Sequence, residues 1–238
     1  MKLDILSALN AERAARRAAI VVTDVANGAQ RLVKAAGVAR DPLKDVLAKH
    51  IRSGKSGMEE TAEGRVFLTV HVPPPRLVIT GAVHISQTLA PIAKLLGYDV
   101  TIVDPRTAFA TVERFPEVKV IAEWPDTALP PLDIDHYTAF VALTHDPKID
   151  DPALTHALER DCFYIGALGS KKTHARRVER LKSQGLPDAA IGRIHAPIGL
   201  PIGAVSPAEI AVAIMGEITA RLRQAPQKTP AKTLETAS

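Results

Sequence analysis

Residues 76–106, RLVITGAVHISQTLAPIAKLLGYDVTIVDPR, constrain the fold more than any other stretch. Leu77, Val78 and Ile79 form a short apolar run suited to a strand buried on both faces. Gly81 ends it. Ile85, Leu89, Ile92 and Leu96 then recur at helical spacing, and Gly97 stands where a helix C-terminal glycine belongs. Residues 100–103 form a second apolar strand, closed by Asp104. Strand, tight turn, helix and strand, with an acid about 20 residues beyond the first glycine, open a dinucleotide-binding fold. The expected fold class is α/β, a Rossmann-like doubly wound parallel sheet preceded by a small α+β domain.

The glycine fingerprint is incomplete. It wants glycine or a small residue at 81, 83 and 86, and the chain has Gly81, Val83 and Ser86. A side chain at the middle position keeps a pyrophosphate from the backbone, so Val83 disfavours bound NAD(P). His84 and Ser86 put polar groups at a helix N-terminus, where free N–H groups favour an anion. Pro91 inside the predicted helix should kink it or end its first half.

Around this unit the chain divides into three parts. Residues 1–72 read as the small domain. Leu3, Leu6, Leu9 and Ala14 mark a helix face, and strands at 19–23 and 31–34 flank the turn signal Asn27-Gly28. Asp41-Pro42 starts a helix to about Ile51, and 66–72 is a strand. Ser53-Gly54-Lys55-Ser56-Gly57 contains GKS, but position 49 is lysine where a phosphate loop needs glycine, so a flexible turn is expected. Pro73-Pro74-Pro75 is a stiff linker. Residues 76–222 read as the Rossmann-like domain, with later strands at 118–122, 139–143 and 163–165. Asp151 is expected to cap a helix from Pro152 to Glu159. A basic helix runs from Gly169-Ser170 to about Gln184. Residues 195–205 form a loop, and Ser206, Pro207 and Glu209 start a last helix with a capping box. Residues 223–238 lack periodicity and are expected to be a disordered tail.

Composition narrows the classes. With 46% hydrophobic residues in 238 the chain can bury a core. No apolar run reaches the roughly 18 residues of a membrane helix, and charges interrupt the N-terminus where a leader needs its apolar stretch. Cys162 is the single cysteine, which excludes an internal disulfide and sets a cytoplasmic expectation. The net charge is +4, and half of it lies in the tail, where Arg223, Lys228 and Lys232 face only Glu235. With aromatics at 4%, neither charge nor stacking platforms argue for nucleic acid.

Ligands in open parallel sheets sit beyond the carboxyl ends of the strands. Polar clusters fall at four such ends. They are His84 with Ser86; Asp104 with Arg106; Thr144, His145 and Asp146 with Lys148; and Gly169, Ser170 and Lys171 with Lys172 and His174. Asp104 suits a ribose or pterin group, or equally an ion pair with Arg106. Gly169-Ser170-Lys171 opens a helix whose free N–H groups and lysine suit a phosphate, or is a solvated basic helix start. His145 and Asp146 read as an acid/base pair, half a metal site, or an ordinary loop. His195 reads as orienting the loop that follows it. Cys162 reads as a core thiol. No Ser-His-Asp or paired-carboxylate set stands out.

GAVHISQ (81–87), VDPR (103–106), ERFP (113–116), LTHDPKIDDPAL (143–154), FYIGALGSKKTHARR (163–177) and HAPIGLPIGAVSPAEIA (195–211) together resemble the XdhC/CoxI family, the xanthine dehydrogenase accessory proteins. The resemblance covers roughly 76–222. The first 75 residues resemble a shortened first domain without the cysteine-containing glycine-rich segment of many members. The family usually has glycine where this chain has Val83. The resemblance implies a maturation factor more than an enzyme. Such a protein binds molybdenum cofactor, assists its sulfuration and passes it to a molybdenum hydroxylase apo-enzyme, such as xanthine dehydrogenase or a carbon monoxide dehydrogenase-like enzyme. It also implies a cysteine desulfurase as a partner. A small first domain favours a homodimer. The alternatives are an NAD(P)-dependent oxidoreductase on the same fold and a scaffold with a degenerate site.

Overall fold

In β1 (Ala19–Asp24) the side chains alternate, as an extended chain requires. Ile20 and Val22 pack on one side with Leu47 and Leu68, while Ala19 and Val21 pack on the other with Ile5 and Leu9. Both faces are covered, so β1 is buried in the middle of its sheet. The computed structural model describes residues 2–62 and 64–224. The first sheet adds β2 (Gln30–Lys34), β3 (Gly57–Thr61) and β4 (Gly64–His71) in the antiparallel order β2-β1-β4-β3. Helix α1 (Leu3–Ala14) supplies Ile5 and Leu9, and α2 (Lys44–Ser53) supplies Leu47.

The second sheet has six parallel strands: β5 (Arg76–Thr80), β6 (Asp99–Val103), β7 (Lys119–Ile121), β8 (Thr138–Ala142), β9 (Tyr164–Ala167) and β10 (Ile194–His195). Their order is β10-β9-β8-β5-β6-β7. Counted from β5, the chain builds outward on one side and then returns to the other, which makes the gap between β5 and β8 the switch point where ligands bind in such sheets. Helices α3 (His84–Leu95) and α8 (Pro207–Arg223) cover one face, where Leu89, Ala93, Ile214 and Ile218 meet Leu77, Ile79 and Ile102. On the other face lie α4 (Pro125–Ala128), α5 (Pro147–Leu158), α6 (Lys171–Ser183) and α7 (Asp188–Ile191). There Leu154, Leu181 and Ile191 meet Val78, Val103 and Phe140. The sheet is doubly wound, as expected.

Polar straps join the two sheets' surroundings. Arg16 donates to Asp135 at 2.6 Å and to the Pro74 carbonyl at 3.0 Å. Arg223, at the end of α8, donates to the Ser53 carbonyl at 2.8 Å.

Several local expectations need correction. The α5 helix begins at Pro147 with Asp146 as N-cap, accepting from the Lys148 N–H, and Pro152 lies inside it. Asp146-Pro147 carries the same start signal as Asp151-Pro152 five residues earlier. Pro152 donates no backbone bond there, and Asp151, inside the helix, is no cap but pairs with Arg180 at 2.5 Å. Pro91 does not end α3, which continues to Leu95. Pro91 is exposed, and buried Leu89, Ala90 and Ala93 hold the helix on its other side. The 53–57 turn leads into a strand that the pattern does not announce. This is β3, an edge strand paired only with β4, and GMEET shows little apolar alternation for that reason. His195 lies in a short strand, not a loop. By contrast, the Ser206–Glu209 capping box forms as its spacing predicts, and Gly97 takes the left-handed conformation after α3. Most of the tail expectation, 225–238, lies outside the described residues.

Candidate functional site

The floor of the switch-point crevice is a close approach between two strand ends. Gly81 follows β5 with φ +115, and a Cβ there would stand 3.0 Å from the Thr144 methyl and 3.2 Å from the Leu143 carbonyl carbon. Only glycine accepts both the backbone angle and the contact. Ser86 is fully buried and donates its hydroxyl to the Gly81 carbonyl, so it holds the turn from beneath. Val83 occupies the N-cap of α3, contributes no capping bond and packs against the apolar core.

Asp104 ends β6 and is fully buried. Its carboxylate accepts from the Ala82 N–H at 2.7 Å, the Arg106 N–H at 2.9 Å, and the Arg106 guanidinium at 2.9 and 2.6 Å. Burial alone would raise its pKa. The Arg106 guanidinium and the two backbone N–H groups outweigh that and hold the carboxyl below the usual range. Arg106 also lies 4.8 Å above the Phe109 ring. Arg114, from the ERFP segment, donates to the Ala82 and Phe109 carbonyls at 2.8 Å each. The 81–84 turn is thus clamped from both sides.

Beyond β8 a second clamp forms. Asp150 is 1% exposed and accepts from the Thr144 hydroxyl at 2.6 Å, the Thr144 N–H at 3.3 Å and the His145 N–H at 3.0 Å. These bonds hold His145 at φ +64, a conformation that costs a non-glycine residue of order 1–3 kcal/mol. Burial raises the Asp150 pKa despite them. Arg177 on α6 stands 3.8 Å from Asp150 and donates to the Leu168 carbonyl at 2.9 Å. At the start of α6, Ser170 caps the helix by accepting from the Thr173 N–H at 3.2 Å. Gly169 has φ +132, and a Cβ there would meet Thr173 at 3.0 Å.

Hydrogen bonds therefore join Gly81 with Ser86, Asp104 with Arg106, and Thr144 with Asp146, and hold Thr144 and His145 together on Asp150. The field of Asp146 and Asp150 reaches Arg106. His84 and Lys171, the first residues of α3 and α6, are exposed and have no partner among the described residues. Among the described residues, no group of three or more His, Cys, Asp and Glu is arranged to hold a metal ion. Sequence reasoning missed Arg114, Asp150 and Arg177 as site residues. Arg114 was visible within ERFP, but nothing local shows that it reaches a carbonyl 32 positions away.

At the sheet edge, His195 shares Glu217 with Tyr164. The distances are 2.8 Å to His195 Nδ1 and 2.6 Å to the Tyr164 hydroxyl, and Gly199 N–H adds a third bond at 2.8 Å. Arg221 Nε donates to His195 Nε2 at 3.2 Å, so Nδ1 carries the proton and donates to Glu217. His195 anchors the 195–199 segment to α8. Cys162 is buried, and burial pushes its thiol up to about 12.

Comparison with known proteins gives a consistent set of likenesses. The XdhC Rossmann domain model matches residues 77–218. The chain is 33% identical over 163 residues to uncharacterized protein YqeB of Escherichia coli (strain K12), covering 68% of this chain and 30% of that one. It is 34% identical over 154 residues to a probable xanthine dehydrogenase subunit of Bacillus subtilis (strain 168), covering 64% and 44%. It is 31% identical over 153 residues to the molybdenum cofactor insertion chaperone PaoD of Escherichia coli (strain K12), covering 64% and 42%. The chain thus spans less than half the length of these relatives. A crystal structure of a xanthine dehydrogenase from Bacillus halodurans shares the fold, with a TM-score of 0.64 at 22% identity, over 94% of this chain and 66% of that one. With its Rossmann domain matched from 77 to 218, the chain belongs to the XdhC family.

Proposed function

We propose that this chain is a maturation factor that carries molybdenum cofactor to a molybdenum hydroxylase. The observation that carries the reading is the set of unspent donors around the switch-point crevice. His84, His145, Lys148 and Lys171 stand exposed at or just before the starts of α3, α5 and α6, which follow β5, β8 and β9, while Arg106, half-buried beyond β6, already spends its Nε and Nη2 on Asp104. The cargo is an anionic pterin that ends in a phosphate. Such a donor set fits it: helix N-terminal N–H groups and lysine take the phosphate, and Arg106 with the Thr144-His145-Asp146 turn flanks the rest. Gly169, Ser170 and Lys171 form the phosphate-facing helix start in this reading, and Gly81, Ser86 and Asp104 hold the crevice floor. The name of the relative PaoD points the same way.

In the same reading the chain divides at Pro73–Pro75 into domains 1–72 and 76–222. It works in the cytoplasm, assists sulfuration of its cargo with a cysteine desulfurase, and forms a homodimer. None of the helices among the described residues is long and apolar enough to cross a membrane.

The test is anaerobic loading with molybdenum cofactor, gel filtration, and fluorescence of the oxidised pterin in the protein peak. Stoichiometric pterin, reduced at least tenfold in Lys171→Ala, supports the carrier reading. Absence of pterin in the folded wild-type chain overturns it, and NADH titration then tests the NAD(P) alternative that the strand order keeps open.

A further inference from the structure

A cavity of about 210 Å³ lies between α5 and α6, lined by His145, Asp150, Thr173, Arg176, Arg177 and Arg180. Its wall holds charge that the protein does not use. Arg177 is 2% exposed, yet its Nε and Nη1 are buried with no hydrogen-bond partner. Only Nη2 is engaged, with the Leu168 carbonyl. Buried donors left unpaired are costly, and charged ones more so.

Nothing nearby neutralises this guanidinium well. Asp150 stands 3.8 Å away, and its oxygens already accept from Thr144 and His145. Arg180 is committed to Asp151 at 2.5 and 3.0 Å. Arg176 is exposed and has no partner among the described residues. The lining therefore keeps two arginines with open donors against one carboxylate whose bonding is largely spent. A planar guanidinium with unpartnered Nε and Nη1 donors suits an oxyanion. The volume suits a single tetrahedral group: it exceeds several waters at about 30 Å³ each. It is smaller than pockets for whole small molecules, which run upward from roughly 300 Å³.

We propose that this cavity binds a phosphate group, held by Arg177 and Arg176 beneath the His145 turn. The group is either inorganic phosphate or the phosphate monoester of the cargo; only the second source rests on the carrier reading above, and it seats that phosphate past the α6 start, on Arg176 and Arg177 in place of Lys171. On entry the phosphate competes with Asp150, 3.8 Å from Arg177, for that guanidinium. It completes the donor shell of Arg177, and the turn at His145 forms the lip of the site.

The test is titration of the full chain with inorganic phosphate at low ionic strength, read by calorimetry and by phosphorus NMR. One phosphate per chain is expected. Arg176→Ala should weaken it about tenfold, the loss of one exposed charge contact. Arg177→Lys keeps the charge but loses the fork, and should weaken it about a hundredfold. If Arg177→Lys fails to fold, Arg176→Ala with an unchanged circular dichroism spectrum still decides the point. No phosphate binding in wild type overturns the proposal, as does an affinity unmoved by Arg176→Ala. The same titration on pterin-loaded protein separates the two sources. Phosphate that expels the pterin assigns the cavity to the cargo's own phosphate, and phosphate bound beside the pterin assigns it to a separate anion. Pterin retained without any phosphate binding overturns this inference alone. Phosphate bound without any pterin retained overturns the carrier reading alone.

Discussion

The Asp104 carboxylate accepts the Ala82 N–H at 2.7 Å across the β5–β6 edge. In a dinucleotide-binding turn, backbone N–H groups of this kind point at the ligand's phosphates. Here an internal anion, itself neutralised by Arg106, takes that place. Asp104→Ala leaves the Ala82 N–H and part of Arg106 unpaired. It should destabilise the chain by about 3 kcal/mol, the range for breaking a buried pair on one side. Urea denaturation at pH 7 measures this. A loss below about 1 kcal/mol would show that the pair does not hold the turn.

Arg114 clamps the same turn from the other side through the Ala82 and Phe109 carbonyls. Hydrogen bonds to charged groups contribute about 1.5–3 kcal/mol. Arg114→Ala should cost about 2 kcal/mol in the same assay and speed hydrogen exchange over 82–87. Unchanged exchange there would refute the clamp.

Gly81→Ala meets two obstacles at once. The left-handed φ of +115 strains any side chain, and the new Cβ presses on Leu143 and Thr144. A loss of about 2–4 kcal/mol is expected, as strain and overpacking combine. Thermal unfolding reads it directly, and a variant as stable as wild type would mean that the two strand ends can separate.

Acid should weaken the first domain through Glu12. Hydrogen bonds from Arg17 and Lys34 lower its pKa to about 2. A carboxyl whose folded pKa is depressed stabilises the fold above its unfolded value, near 4.5. It loses that contribution as pH falls toward 2. Glu12→Gln should therefore lower stability at pH 7 and flatten its pH dependence between about 4.5 and 2. Denaturation curves at pH 3 and pH 7 check this, and equal mutant effects at both would contradict it.

Much of the fold was legible because local rules and tertiary packing agreed. The apolar run of β5, the helical spacing of α3 and the Ser206–Glu209 box each carry their own signal. Where a signal was duplicated, as in Asp146-Pro147 and Asp151-Pro152, the sequence reading took the later start, whereas Asp146 caps α5 and Asp151 pairs with Arg180. β3 and β10 were hidden because an edge strand with one partner needs little apolar alternation. The chemistry was half legible. Strand ends named Asp104, Arg106 and the Thr144 turn. Arg177 sits in a run of basic residues that reads as a solvated face, and only the folding of α6 against α5 buries it.

The two borders of the large sheet are the three-residue β7 and the two-residue β10. A border that short offers a neighbouring molecule almost no ladder to extend, so the parallel core is protected from edge-to-edge association. The five-residue borders of the small sheet, β2 and β3, lack that protection by length and carry charge instead, with Arg31 and Lys34 on one and Glu59 and Glu60 on the other. The small sheet thus relies on charge where the large one relies on length, so added salt weakens the protection of the first 72 residues and leaves that of the parallel core unchanged.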